Sequence, residues 1–151
     1  MSVYRRILAV VDLTEDSREV ARRAISVAQS CGASELEFLH VVEYVPVEPL
    51  SDSLMPAVQI ESELLERARR KLDELTTQLG QQGTPRRVEA GNVKTEIVRV
   101  ARERQADLIV IGSRERHGLS ILVNLTEDTV LHAAPCDVLA VRLAAPTRAG
   151  A

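Results

Sequence analysis

Asp12 and the pair Gly112-Ser113 stand at the ends of two apolar runs, Arg6-Ile-Leu-Ala-Val-Val and Asp107-Leu-Ile-Val-Ile. Such positions suit ligand binding in an α/β protein, because strand C-termini and helix N-termini converge there and backbone N–H groups face incoming anions. Arg114, Glu115, Arg116 and His117 follow directly. Guanidinium groups in that loop can hold a phosphate, and the loop also reads as a solvated segment in which Arg114 and Arg116 offset Glu115. Asp12 likewise has two readings: a ligand contact, or a turn residue accepting hydrogen bonds from the amides of the acidic loop behind it.

Catalytic chemistry finds no constellation. Gly-x-Ser-x-Gly is absent, so there is no nucleophile elbow. His40 lies inside an apolar run and His132 near a helix end, which makes them packed or dipole-facing residues rather than bases. A phosphoacceptor role for Asp12, as in response regulators, needs a second acidic cluster for magnesium and a late lysine; the strand ends at Val41 and Ser113 supply neither. Cys31 and Cys136 lack C-x-x-C spacing and nearby histidines, so they read as buried free thiols rather than metal ligands.

The elements that carry these residues alternate. Residues Arg6 to Val11 form a strand, and Asp12-Leu-Thr-Glu-Asp-Ser hands it to a helix from Ser17 to Cys31, with Val20, Ala21, Ala24, Ile25, Val27 and Ala28 at helical spacing and Gly32 as the stop. Glu35 to Val42 is short and apolar enough for a buried parallel strand. The prolines at 46, 49 and 56 make Glu43 to Ala57 a mobile flap rather than a helix or central strand. A long helix follows from about Ile60 to Leu79, its inward stripe Leu64, Leu65, Ala68, Leu72, Leu75 and Leu79. Next come a turn from Gly80 to Pro85, a polar strand from Arg86 to Ala90, Asn92 as N-cap for a helix from Lys94 to Gln105, and the strand Asp107 to Ile111. A helix from Leu119 to Ala133 and a strand from Asp137 to Leu143 close the order. Strict alternation predicts one doubly wound, mainly parallel, five-stranded Rossmann-like sheet with helices on both faces.

Composition narrows the class. A chain of 151 residues with 45% hydrophobic residues buries a core without metal or disulfides. A net charge of -3 offers no basic surface for nucleic acid. The chain runs straight into its first strand, with no signal-peptide apolar region and no apolar stretch of about 18 residues, which predicts a soluble cytoplasmic protein without a membrane partner.

Five ordered segments resemble the universal stress protein family. They are Arg6-Ile-Leu-Ala-Val-Val-Asp12 with Asp16-Ser17, Leu39-His-Val41, Gly91-Asn-Val-Lys-Thr-Glu-Ile97, Ala106-Asp-Leu-Ile-Val-Ile-Gly-Ser113, and Val130-Leu-His-Ala-Ala-Pro-Cys-Asp-Val-Leu-Ala-Val-Arg142. The resemblance implies a family domain over residues 1–143, followed by a disordered tail at 144–151. In nucleotide-binding members the fourth strand leads to a first glycine, a second glycine three residues on, and a third followed by Ser or Thr. Gly112 matches the first, Glu115 stands at the second, and Asn124-Leu125 fall at the Gly-Ser pair when the block is aligned from its closing strand. A carboxylate there repels a triphosphate and its Cβ restricts close approach. The motif is therefore degenerate, and the expectation is a non-enzymatic stress-response protein without ATP or another cofactor. The alternative is ATP with magnesium, bound by Asp12, Val41, Gly112, Arg114, Gly118, Asn124, Leu125 and Thr126, with slow hydrolysis.

The last strand, Val138-Leu-Ala-Val-Arg-Leu143, is apolar where a sheet edge belongs, and bare edges invite pairing with another chain. The resemblance implies the same: a homodimer in which Val138, Leu139, Ala140, Val141 and Arg142 of two copies meet antiparallel across a two-fold axis.

Overall fold

The sequence order of short apolar runs and amphipathic stretches becomes β1 (Arg6–Val10), α1 (Ser17–Cys31), β2 (Glu35–Glu43), α2 (Met55–Gln78), β3 (Arg86–Gly91), α3 (Val93–Glu103), β4 (Leu108–Arg114) and β5 (Asp137–Leu143). The structure, a computed structural model, describes residues 2–43, 55–114 and 130–143, except for the side chains of residues 55–59 and 114. All pairings are parallel, in the order β3-β2-β1-β4-β5. Three element ends are set by specific hydrogen bonds. Helix α1 ends where Gly32 takes the left-handed conformation and its N–H reaches the Ala28 and Gln29 carbonyls. Helix α3 starts where the Asn92 side chain accepts from the Thr95 N–H. Strand β1 starts on Asp107, whose two carboxylate oxygens accept from the Arg5 and Arg6 N–H groups at 2.8 and 3.0 Å.

The alternation of strand side chains divides the interior into two layers. Ile7, Ala9, Val11, Phe38, Leu108, Val110, Val141 and Leu143 face α1 and α2, where Val20, Ala21, Ala24, Leu72 and Leu75 meet them. Leu8, Val10, Leu39, Val41, Ile109 and Ile111 face the other way, onto Ile97, Val100 and Ala101 of α3 and onto Val130. Each Val, Leu, Ile or Phe among them contributes about 1.5–3 kcal/mol by leaving water.

Several expectations change. Helix α2 begins at Met55, five residues before Ile60, because Pro56 falls in the first turn, where a proline's missing N–H has no intrahelical partner to lose. Leu64 is exposed rather than part of the inward stripe; Ala68, Leu72 and Leu75 carry that face. Strand β2 extends through Glu43 and β3 through Gly91, while α3 stops at Glu103, short of Gln105, whose φ of 52° ends the helical path. Both cysteines are free and half-buried rather than fully buried. Residues 130–133 are helical, in the last turn of the expected final helix. The rest of that helix, the flap between 44 and 54, and the tail at 144–151 lie outside the described residues.

Candidate functional site

Strand order reverses direction between β1 and β4, with β2 and β3 on one side and β5 on the other. The crevice beyond the carboxyl ends of these two strands is where open parallel sheets bind ligands, since neighbouring connections depart to opposite faces there. From β1 the crevice receives Val11, Asp12 and the turn into α1; from β2, His40 and Val41; from β4, Gly112, Ser113 and the backbone of Arg114.

Asp12 is the best-defined of these. Its Oδ1 accepts from the Thr14 N–H at 3.0 Å, the Thr14 hydroxyl at 2.7 Å and the buried Ser17 hydroxyl at 2.7 Å. Leu13 between them has φ of 61°, a left-handed conformation rare for a branched residue, and the carboxylate's grip on both flanks of the turn holds it there. The turn reading of Asp12 is thus realised, with hydroxyls as well as an amide as donors. Beside this turn, Leu13, Thr14, Glu15, Ser17 and Arg18 face Lys71, Glu74, Leu75 and Gln78 of α2 across a cleft of about 160 Å³.

His40 lies on the neighbouring strand. Its Nδ1 is 2.8 Å from the Val11 carbonyl oxygen, so Nδ1 carries the proton and donates. Burial pushes the imidazole below its ordinary range, opposed by that carbonyl and by the Asp12 charge, while the Lys71 charge adds to the depression. Val41 is buried at the end of β2, opposite Glu89 of β3.

Gly112 has a packing role that its motif position did not signal. A Cβ there would lie 2.9 Å from Leu143 Cδ1 and 3.0 Å from Val20 Cγ2. The missing side chain is what lets α1 and the end of β5 close over β4. Arg114 ends β4 opposite Leu143. Its side chain, and Glu115, Arg116, His117, Gly118, Asn124, Leu125 and Thr126, lie outside the described residues.

At the far edge, β5 pairs, among the described residues, only with β4. Ala140 and Arg142 are exposed and Val138 and Leu139 half-buried, whereas Val141, expected at the same seam, is 3% exposed and belongs to the α1-facing core. Leu131, in the helical segment that precedes the strand, is 56% exposed. Burial, then the charges of Asp107 and Asp137, push the Cys136 thiol up to about 11, away from the thiolate. Among the described residues, no cluster of His, Cys, Asp or Glu could hold a metal ion, and no helix is long and apolar enough to cross a membrane.

Sequence reading missed an ion-pair network on the α3 face of β2 and β3. Arg87 lies 3.6 Å from Glu37, 3.7 Å from Glu89 and 3.2 Å from Glu103; Arg99 lies 3.4, 2.6 and 3.1 Å from Glu89, Glu96 and Glu103; Arg104 lies 2.9 Å from Glu37. Only the spacing Glu96-Arg99-Glu103 along one helix face signalled it.

A model of the Universal stress protein family matches residues 3–142. The chain is 37% identical over 139 residues to Universal stress protein A homolog 1 of Coxiella burnetii, covering 91% of this chain and 96% of that one. Among solved structures it is similar to universal stress protein UspA from Lactobacillus plantarum, with a TM-score of 0.70 at 24% identity over 92% of this chain and 98% of that one. It is also similar to a universal stress protein in complex with cAMP, with a TM-score of 0.57 at 21% identity over 91% and 96% of the two chains.

Proposed function

The chain belongs to the universal stress protein family, and on that premise we propose that it is a non-enzymatic, homodimeric, cytoplasmic stress-response protein that acts through protein contacts and does not bind ATP. The observation that carries this reading is the state of Asp12: one carboxylate oxygen is already engaged by three donors of its own turn. A ligand would have to share that oxygen with them or compete for it. Two sequence features point the same way. Glu115 puts a negative charge where a phosphate-binding loop needs a bare amide, and Leu125 puts an alkyl group where it needs a hydroxyl. In this reading the dimer forms through β5, whose outer side has no strand beside it among the described residues.

Titration calorimetry of ATP with magnesium into the purified protein tests it. No heat of binding, and no nucleotide in the supernatant of denatured protein, is the expected result. Saturable micromolar binding would overturn the reading in favour of a nucleotide sensor with slow hydrolysis, its ligand held by Asp12, Val41, Gly112, Arg114, Gly118, Asn124, Leu125 and Thr126. What favours that second reading is the similar fold solved in complex with cAMP, together with the convergence of Asp12, Val41 and the end of β4 on one crevice.

A further inference from the structure

The parallel ladder between β1 and β2 is regular up to the Val11 N–H, which donates to the Leu39 carbonyl at 2.9 Å. At the next backbone group it changes character: the Val11 carbonyl is taken by a side chain, His40 Nδ1, at 2.8 Å. Val11 is the last residue before Asp12, so the plane of the Val11–Asp12 peptide fixes the direction in which Asp12 leaves the sheet. From there the Asp12 carboxylate gathers Thr14 and Ser17, and Leu13 is held at positive φ. The ring that fixes this peptide stands on a different strand from the turn it controls. The charged groups facing it are Asp12 from the turn and Lys71 from α2; Val88 stands beside it on β3.

We propose that His40 is the positioning residue of the crevice: through its Nδ1–H it fixes the peptide on which Asp12 rides, so the geometry of the turn into α1 depends on the donor chemistry of this one ring. The proposal concerns the chain's own turn and holds whichever ligand, if any, the crevice takes. Protonation adds a charge beside Asp12 and Lys71 without removing the Nδ1–H, so acid changes the balance of forces on the turn while the bond to Val11 remains available. Asparagine at position 40 offers an amide N–H near the place of Nδ1 and has no titratable group; leucine offers no donor.

Amide hydrogen exchange read residue by residue on the full chain, from pH 5 to 8, tests this. With intrinsic rates divided out, His40→Leu is expected to raise exchange at Thr14 and Ser17 by roughly 10-fold, the loss of about one hydrogen bond, with α3 and β3 amides unchanged. His40→Asn is expected to restore protection close to the parent value and to abolish any inflection of Thr14 and Ser17 protection that the parent shows between pH 5 and 7. Unchanged protection at Thr14 in His40→Leu would overturn the proposal, as would an equal rise over the whole sheet, which would make His40 a general packing residue. Should His40→Leu not fold, His40→Asn decides alone: an inflection that persists in it belongs to another group and sinks the idea.

Discussion

The two edges of the sheet are built on opposite principles. Strand β3 reads Arg-Arg-Val-Glu-Ala-Gly, and its charges are engaged on both faces: Arg86 with Asp73 and with the Gln82 and Thr84 carbonyls, Arg87 and Glu89 with the network rooted in β2 and α3. Strand β5 reads Asp-Val-Leu-Ala-Val-Arg-Leu, with an apolar centre and charges near its ends. Short, charged strands resist pairing with a foreign strand, whereas apolar ones favour it. The contrast separates the two edges: the side chains of β3 are tied to its own neighbours, whereas β5 presents an apolar centre, the edge through which the proposed dimer would form.

The largest effect that would break this contrast is on assembly. Ala140→Pro, in the exposed middle of β5, should reduce a dimer to monomer in sedimentation velocity with little change in circular dichroism, since proline removes a ladder donor. An unchanged sedimentation coefficient would move the interface away from this edge. Next comes Gly112→Val, which forces methyl groups against Leu143 and Val20. Overpacking of this kind costs about 1–3 kcal/mol, a fall in melting temperature on the order of 5–10 °C for a chain of this size. The loss should appear in calorimetry with or without nucleotide, because the side chain points into the α1 layer. A variant that lost only nucleotide binding would restore the motif reading of this glycine.

That glycine shows where sequence reading succeeds and stops. Strand and helix order, the caps at Gly32 and Asn92, and the apolar edge at β5 were legible, because each rests on local spacing. Gly112 was legible as a glycine needed at a strand end, but its packing role was not: Val20 and Leu143, the side chains it must admit, come from α1 and β5. Pro56 misled by its general reputation, since breaking a helix depends on where in the helix a proline falls. The network around Arg87 was invisible because Glu37, Arg87 and Arg104 are brought together only by the order β3-β2-β1 and the packing of α3. Asp12 and Val41 lie near the strand ends that the sequence indicated; the carbonyl partner of His40 was not legible, since nothing in Leu39-His-Val41 names Val11.

Smaller effects separate the edges further. Glu37 has a side chain only 12% exposed, with Arg87 and Arg104 both on it. Glu37→Leu should destabilise the chain by roughly 1–2 kcal/mol in urea denaturation, less than a fully buried pair because Arg104 is half in solvent and screened there. Any excess exchange should be confined to β3 and the end of α3. Sodium chloride at high concentration should mimic part of this and leave β5 unmoved.

Acid gives the finest separation. His40 and Glu103 both titrate lower in the folded chain than unfolded, His40 through burial and Glu103 through its hydrogen bond and attraction to Arg87. For a depressed group the unfolded chain binds more protons, so the stability it lends is complete above the unfolded value and lost as pH falls through the folded one. The His40 contribution should therefore fade below about pH 6.5 and the Glu103 contribution only below about pH 4.5. Melting curves between pH 7 and 5 should flatten in His40→Asn and keep their slope in Arg87→Met, which should instead flatten the fall below pH 4.5. If Arg87→Met altered the upper window as well, the β3 network and the crevice would be coupled through β2, where Glu37 and His40 lie on opposite faces of one strand. The contrast between a guarded edge and an independent crevice would then give way to a single acid-sensitive unit spanning both.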